Sequence, residues 1–415
     1  MQRARIVLVV ALLGVAGIRP PVGAQPINNA NQAITAIAER LVSDQQVDGS
    51  WAGEEYFTGS MVIGLVDAYK RTCEPSYLAA AELAGDYINA VSGGYYGYGD
   101  EALAMAMLSG TAADPSNNPY RDDLAYFYSA IKAEGGGTAA FIDDYTYGAE
   151  PSTAVFYIAF HTIAAHYVEA EDAGLFREAL LGYLATVDDS TADFPVMALG
   201  IATWALAESG QMNDAPVDAD GTGRPMWTGL TLADLPELLL AHQSSKGAFY
   251  WRFDHTDGAG SALGVTSGFT EDAIFGTLGL ISADKYTNHN FRDEIGLAKK
   301  ALWEGVNADG TVYGHLWQDS PDMKVYAAEM LAALSGLGRI PANCPGMCFA
   351  KGDSNRDCQI TFTDVQAVID AWPPKPYRWN ADFNQDGQIT FSDVNVLIQH
   401  WPPNAGCSAT CVPAP

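Results

Sequence analysis

Six strongly apolar runs, each long enough for a helix, recur between residues 28 and 340 and constrain the fold more than any other feature. Each follows a short acidic or Gly-rich lead, and they recur at intervals of about 45 to 50 residues with one longer interval. The runs are Glu54 to Tyr69, Gly99 to Leu108, Glu150 to Val168, Ala192 to Glu208, Thr270 to Ser282 and Ser320 to Leu334. A more amphipathic segment precedes each, over 31–46, 76–91, 121–134, 171–187, 232–243 and 290–306.

A helix that is apolar nearly all round is buried, whereas a helix with a polar stripe faces water on one side. Six buried helices ringed by six amphipathic ones predict an all-α fold, an (α/α)6 toroid over residues 28–340. An irregular bundle and an open helical solenoid are the alternatives. Glycines within the apolar runs, which let helices approach closely, are expected at the contacts between inner helices: Gly64, Gly200, Gly276 and Gly279.

A second sequence pattern occurs where an outer helix ends and the chain turns toward the next inner helix; we call these connections joints. Gln45 to Trp51 (QQVDGSW) closes the first outer helix, and Gln243 to Phe249 (QSSKGAF) closes the fifth. A Gln, a Gly for a tight reversal and an aromatic two residues later resemble the QxxxGxW repeat of the squalene cyclase and protein prenyltransferase superfamily of toroids. The resemblance implies the toroid fold.

The sequence does not contain the residues that mark the best-known activities of that superfamily. The string from Asp188 to Asp193 (DDSTAD) does not have the DxDD spacing of triterpene cyclases, and no GCGEQ-type thioester string occurs. Protein prenyltransferases need a cysteine at zinc, and Cys73 is the only cysteine of the toroid region.

Acidic residues at the starts of the inner helices are expected to ring one face of the toroid. They are Glu55, Asp100, Glu101, Glu150, Asp193, Glu271, Asp272 and Asp322. Paired carboxyl groups can act as general acid and base at a glycosidic bond, provided that one is held protonated and the other ionised. We take Glu55, Asp100, Glu101, Glu271 and Asp272 as candidate catalytic groups. The alternative role is capping, since acids at helix starts accept free amides and complement the helix dipole.

Aromatic residues concentrate in the loops that lead to the same helix starts. An aromatic ring offers apolar area of defined geometry, which suits the CH face of a sugar. The candidate substrate contacts are Trp51, Tyr95, Tyr96, Trp251, Tyr313, His315 and Trp317, and His255 is a further candidate catalytic group.

Glycoside hydrolysis of a polysaccharide is therefore the first functional hypothesis. A polysaccharide lyase is the close alternative, because Arg252 with His255, or Tyr313 with His315, could supply a base and a positive charge. A non-catalytic toroid that binds glycan or protein is the alternative from another class.

The charge balance excludes some partners. The chain has a formal net charge of -28 at pH 7, which repels nucleic acid at long range and makes a neutral glycan easier to bind than a polyuronide. Arg3 and Arg5 precede a short apolar run that ends before small residues at 22–24, which predicts a signal peptide over 1–24 rather than a membrane span. The protein is expected to be secreted, to the exterior, the periplasm or the cell surface.

The C-terminal region contains a duplicated twelve-residue loop, DSNRDCQITFTD from Asp353 and DFNQDGQITFSD from Asp382. Side-chain oxygens at positions 1, 3, 5 and 12, with a backbone carbonyl at 7, suit a calcium ion. Two calcium ions are thus predicted. The first set of ligands is Asp353, Asn355, Asp357, Gln359 and Asp364, and the second is Asp382, Asn384, Asp386, Gln388 and Asp393.

An apolar helix is expected only after each loop, and loop plus helix resemble the dockerin type I duplication over residues 351–402. The resemblance implies a cohesin-like or cell-surface partner, although Phe362-Thr363 and Phe391-Ser392 depart from the usual small polar pair. Residues 341–350 form a linker, and 403–415 form a Cys-containing tail. Cysteine pairs flank the module (Cys344, Cys348, Cys407 and Cys411), which predicts disulfides, with a zinc site as the alternative.

Overall fold

The computed structural model describes residues 27–111, 119–257, 266–287 and 289–336, together with isolated positions after 336. These residues form thirteen α-helices and no extended strand. In chain order they are α1 (Ala30–Asp44), α2 (Thr58–Thr72), α3 (Pro75–Ser92), α4 (Gly99–Ser109), α5 (Pro119–Ala133), α6 (Gly137–Tyr145), α7 (Pro151–Tyr167), α8 (Ala173–Leu184), α9 (Pro195–Glu208), α10 (Leu235–Leu240), α11 (Thr270–Tyr286), α12 (Arg292–Glu304) and α13 (Lys324–Ser335).

Six of these helices form a closed inner ring. Each of α2, α4, α7, α9, α11 and α13 packs against the next, and α13 returns to pack against α2. The inner helices are buried along most of their length, whereas α1, α3, α5, α8, α10 and α12 bury only one face. The predicted all-α (α/α)6 toroid is confirmed by these contacts.

Glycines allow the inner helices to come into backbone contact. A Cβ atom on Gly64 of α2 would lie 2.3 Å from the carbonyl oxygen of Ala328 on α13, at the seam where the ring closes. On α9, a Cβ on Gly200 would lie 2.8 Å from the amide nitrogen of Gly276 on α11. The predicted role of these glycines is confirmed.

The Gln, Gly and aromatic residue of the first joint tie α1 to α2 and to the neighbouring outer helix. The Gln45 side-chain amide donates to the carbonyl of Gly49 at 3.0 Å and to that of Ala80 on α3 at 2.9 Å. Trp51 is fully buried, and its Nε1–H donates to the carbonyl of Leu41 at 2.8 Å.

Similar contacts between a joint and a neighbouring outer helix occur at other places in the ring. Gln243 donates to the carbonyls of Gly247 and of Glu294 on α12, at 3.1 and 3.0 Å. The joint after α12 has Gly310 in the corresponding place, where a Cβ would lie 2.3 Å from the carbonyl oxygen of Ala36 on α1. The last joint therefore packs on the first outer helix and closes the outer layer.

Two features differ from the sequence-based expectation. The segment before α7 forms an additional helix, α6, because Ile142 and its neighbours pack against α5 and α8. Several inner helices also begin later than expected, so that Glu55 lies in a short 3-10 helix and Asp193 and Asp322 lie in loops.

Several predictions fall outside the described residues: the signal peptide, the linker, both calcium loops and the Cys-containing tail. Cys73 is disulfide-bonded, and its partner also lies outside the described residues. In the part of the chain that is described, no helix combines the length and apolar character needed to cross a bilayer.

Candidate active site

The N-terminal ends of the inner helices meet on one face, where acidic side chains of one helix accept amides of the next. Both carboxylate oxygens of Glu54, just before α2, accept amides of α13, from Lys324 at 3.1 Å and Val325 at 2.9 Å. Asp100 on α4 accepts the amide of Ser60 on α2 at 3.0 Å. Free amides at a helix start need such partners, so capping between neighbouring helices holds the face together.

Four of the predicted rim acids have structural partners or lie in water. Glu150 caps its own helix by accepting the amides of Ser152 and Thr153. Asp322 pairs with the Arg40 guanidinium, 2.5 Å between Oδ2 and Nη2. Glu55 and Asp193 are exposed, and the Glu55 carboxylate accepts the amide of Gly53 at 3.0 Å, which lowers its pKa.

A second group of acids is buried inside the ring. It consists of Asp100 and Glu101 at the start of α4, Glu271 and Asp272 at the start of α11, and Glu329 in the middle of α13. Asp100 and Glu271 retain partial contact with solvent, whereas the other three are at least nine-tenths buried. Within the described residues, none of the five forms an ion pair with Lys, Arg or His. We call this set the carboxyl cluster.

Burial raises the pKa of every member of the carboxyl cluster, because an ionised carboxylate loses its hydration. The pKa of Asp100 rises to about 6, held back by the hydrogen bonds from Ser60. Burial and then the charge of Asp100 raise the pKa of Glu101 to about 8. Burial raises the pKa of Glu271, and burial followed by the neighbouring Glu271 raises those of Asp272 and Glu329.

Members of the cluster differ in their hydrogen bonds. The amide of Met197 on α9 faces the Asp272 carboxyl and offsets part of the rise in its pKa, whereas Asp272 Oδ1 is buried without a hydrogen-bond partner. No hydrogen bond to the Glu271 carboxyl occurs within the described residues, and the residue as a whole is partly exposed. One oxygen of Glu329 is buried without a hydrogen-bond partner. Glu271 is therefore a member of the cluster whose carboxyl has no described hydrogen bond.

Glu329 was not singled out from the sequence, because it follows the helix start by a full turn and lies within an apolar run. The signal was present, since it is the only charged residue from 325 to 334 in a helix that is otherwise buried. Tyr326, one turn earlier on the same helix, lies beside the cluster, and burial followed by Glu271, Glu329 and Asp272 raises its pKa.

An aromatic wall adjoins the start of α11. It consists of Trp251, His255, Phe269, His315 and Trp317, whose rings contact one another with centroids 5.3 to 6.2 Å apart. Two backbone hydrogen bonds join the loops that carry it, from Thr270 N to Gly314 O at 3.2 Å and from Leu316 N to Gly268 O at 2.8 Å. The wall therefore lies next to Glu271 and Asp272.

The aromatic wall contains buried polar atoms without hydrogen-bond partners. These atoms are Trp251 Nε1, His255 Nδ1 and His315 Nε2. His315 Nδ1 accepts the amide of Trp317 at 3.2 Å, which places the proton of the neutral ring on Nε2. Burial lowers the pKa of His315, so the ring is neutral near pH 7. The proton on Nε2 of His315 faces the backbone of Ser267, and Nε1 of Trp251 is a buried donor without a described acceptor.

Of the other predicted substrate contacts, Tyr313 lies at the start of α11, where its carbonyl accepts the Thr270 hydroxyl at 2.5 Å, whereas Trp51, Tyr95 and Tyr96 lie elsewhere. Trp51 and Tyr96 are fully buried, and both side chains are used in the core. Tyr95 is half exposed and packs edge-on against Phe127 at 5.6 Å. Tyr313 is half-buried and forms a β-bridge with Asp322.

The positive charge expected for a lyase is already paired. The Arg252 guanidinium lies 3.8 Å from the Asp189 carboxylate and 3.5 Å from that of Asp254, and it also donates to the carbonyl of Asp189. His255 lies 3.8 Å from the same Asp254 carboxylate. In the described part of the chain, no set of three or more His, Cys, Asp or Glu side chains is placed to hold a metal ion.

No protein-family model matches the chain, and no curated protein matches its sequence. Several solved structures, including these three, are similar in fold. A variant of the α-1,6-mannanase of Salegentibacter sp. HEL1_6, in complex with α-1,6-mannotetrose, has a TM-score of 0.47 and 12% identity, over 74% of this chain and 98% of that chain. The unsaturated glucuronyl hydrolase of Bacillus sp. GL1, responsible for the degradation of glycosaminoglycan, has a TM-score of 0.48 and 12% identity, over 74% and 94%. The Lin0763 protein of Listeria innocua has a TM-score of 0.47 and 14% identity, over 74% and 97%.

Proposed function

We propose that the toroid is a glycoside hydrolase that acts on a polysaccharide, with Glu271 as the proton donor and Asp100 as the ionised carboxylate. One observation carries the proposal: a single face of the ring holds two acids that both lie near Glu329, of which Glu271 has no described hydrogen bond and Asp100 is fixed by an amide and a hydroxyl. Glycoside hydrolysis needs two carboxyl groups with different protonation states.

The environments of the two groups support these roles. Burial without compensating hydrogen bonds favours the protonated form of Glu271, which can then protonate the glycosidic oxygen. Asp100 accepts hydrogen bonds from the Ser60 amide and hydroxyl, both of which favour its ionised form. The anomeric form of the product would show whether Asp100 activates water or attacks the sugar directly.

The aromatic wall supports a glycan as the ligand. Trp251 and Trp317 are half-buried and lie on loops joined to the start of α11, close to the proposed proton donor. Aromatic rings suit the CH faces of sugars, and one face of each of these two rings lies against a cation, Arg252 at Trp251 and Lys246 at Trp317. The unpaired carboxyl cluster favours an uncharged sugar at the point of cleavage.

The experiment that tests the proposal is an assay of the purified full chain against a polysaccharide panel, following reducing ends and the ultraviolet absorbance of unsaturated products. Reducing ends alone are expected. Glu271→Gln and Asp100→Asn should each lower turnover by about 10²–10⁴-fold. Glu55→Gln is the matched control, since its carboxylate lies in water. Unchanged turnover in both cluster variants contradicts the proposal. Unsaturated products favour a lyase, and saturable binding without product favours a non-catalytic toroid.

We also propose that residues 1–24 direct export and that the C-terminal module binds two calcium ions, as its duplicated loops predict. Calorimetric titration of the full chain should give two ions per chain, and one with Asp382→Asn and Asp386→Asn together. No heat of binding in the wild type contradicts the calcium proposal. If the module binds calcium, we propose that it serves for surface display or for assembly through a cohesin-like partner.

A further inference from the structure

The hydroxyl group of Ser60 contacts two carboxyl groups from two other inner helices. Its Oγ lies 3.3 Å from Asp100 Oδ2 and 3.5 Å from Glu329 Oε1. The Ser60 amide also donates to Asp100 Oδ2, at 3.0 Å. Ser60 is 3% exposed and Glu329 is 6% exposed, so bulk water is largely excluded from the contact with Glu329.

A serine hydroxyl carries one proton, so it can donate to only one of the two carboxyl groups. With both ionised, the second carboxylate would face the lone pairs of the hydroxyl oxygen, in a buried place where no cation of the described residues pairs with it. Asp100 is the acceptor, because an amide N–H already points at the same oxygen. The remaining arrangement has Glu329 protonated and donating to Ser60 Oγ.

The groups that face Glu329 favour the same arrangement. Asp100 approaches from α4 and Glu271 from α11, and Tyr326 lies one turn earlier on α13. Each is neutral or negative, so each opposes a negative charge on Glu329. Burial is the largest cause of its raised pKa, followed by the neighbouring Glu271 and Asp100.

We infer that Glu329 is a positioning residue: as a protonated acid it donates to Ser60 Oγ and thereby directs the single Ser60 proton at Asp100. The inference rests on the proposed function only for its catalytic consequence, which is that Asp100 stays ionised during hydrolysis. No proton leaves Glu329 in this role.

Infrared spectroscopy of the full chain at neutral pD tests the protonation state without any substrate. The difference spectrum between wild type and Glu329→Gln should show the loss of a protonated carboxyl C=O band. Glu55→Gln is the control, and its difference spectrum should show the loss of carboxylate bands. Loss of carboxylate bands in Glu329→Gln overturns the inference, whether or not the protein is an enzyme.

The pH profile of kcat/KM tests the positioning role. Glu329→Leu removes the donor to Ser60, so the pKa of Asp100 should rise and the acidic limb should move to higher pH, with about a tenfold loss of kcat/KM at pH 6. Glu329→Gln keeps an N–H donor and should restore the wild-type limb. If Glu329 were ionised, both variants would remove a negative charge and move the limb to lower pH, which overturns the inference. A wild type without turnover removes the proposed function, while the infrared result still decides the state of Glu329.

Discussion

Glu54 and Glu55 are adjacent and have the same charge, yet only Glu54 stabilises a second helix. The Glu54 carboxylate accepts two amides at the start of α13, across the seam where the ring closes, whereas that of Glu55 accepts one local amide in water. Sequence patterns place both residues before an apolar run. They do not show which of the two points at a neighbouring helix.

Glu54→Ala is therefore expected to lower the free energy of unfolding by about 0.5–2 kcal/mol, the range for loss of a helix cap. Urea denaturation of the full chain measures the change. Glu55→Ala is the matched control and should leave the unfolding midpoint nearly unchanged. Equal effects of the two substitutions would contradict the assigned capping role.

The carboxyl cluster predicts a bell-shaped dependence of kcat/KM on pH. Activity should fall below about pH 6, as Asp100 takes up a proton, because the pKa of Asp100 is about 6. It should fall again at higher pH as Glu271 loses its proton, since burial raises the pKa of that group. Initial rates between pH 4 and 9 measure the profile. A rate that rises continuously with pH would exclude a protonated Glu271 as the donor.

At the scale of elements, the joints repeat because each must reverse the chain between an outer and an inner helix and must also pack against a neighbouring outer helix. Gly49, Gly247 and Gly310 all have positive φ angles, of 95°, 95° and 79°, and each packs against the backbone of a neighbouring outer helix. A Cβ atom at these three positions is disfavoured by the positive φ angle and also by overlap with the neighbouring backbone. The sequence signal was strong where Gln, Gly and an aromatic residue occur together and weaker at the joint after α12, where Val306 and Val312 stand in place of the Gln and the aromatic residue.

Gly49→Ala and Gly53→Ala separate these two effects. Both positions have positive φ, but a Cβ on Gly49 would lie 2.3 Å from the Leu83 carbonyl oxygen, whereas nothing lies within 4 Å of one on Gly53. Gly53→Ala should cost about 1 kcal/mol from backbone strain alone, and Gly49→Ala should cost more than about 2 kcal/mol. Thermal or urea unfolding measures both. A larger loss in Gly53→Ala would contradict the packing role of Gly49.

At the scale of the whole molecule, the buried acids make stability depend on pH in an unusual direction. Asp100 and Glu101 have folded-state pKa values of about 6 and about 8, above the values of about 3.9 and 4.3 for unfolded Asp and Glu. Between pH 5 and 8 these two groups therefore bind more protons in the folded chain than in the unfolded chain, so the stability that they contribute is lost as the pH rises, and it is offset in part by His161, whose pKa burial lowers to about 3.

The free energy of unfolding in the presence of calcium should thus fall by at least about 1 kcal/mol between pH 5 and pH 8. Urea denaturation at several pH values measures the change. Asp100→Asn with Glu101→Gln should flatten the dependence, because neither amide titrates. Stability that increases over this interval would contradict the protonated state of the cluster.

The sequence by itself determined the all-α class, the number of inner helices and the use of glycine at their contacts, because burial and reversal leave periodic patterns in one dimension. It also placed Asp100, Glu101, Glu271 and Asp272 at inner-helix starts. The tertiary structure decided which acids lie close together. Glu329 belongs to the carboxyl cluster only because α13 packs beside α2 where the ring closes. The same closure moved Asp322 into an ion pair and Trp51 into the core. Side-chain direction and the choice of partner depend on how helices far apart in the chain meet, and no local pattern records that.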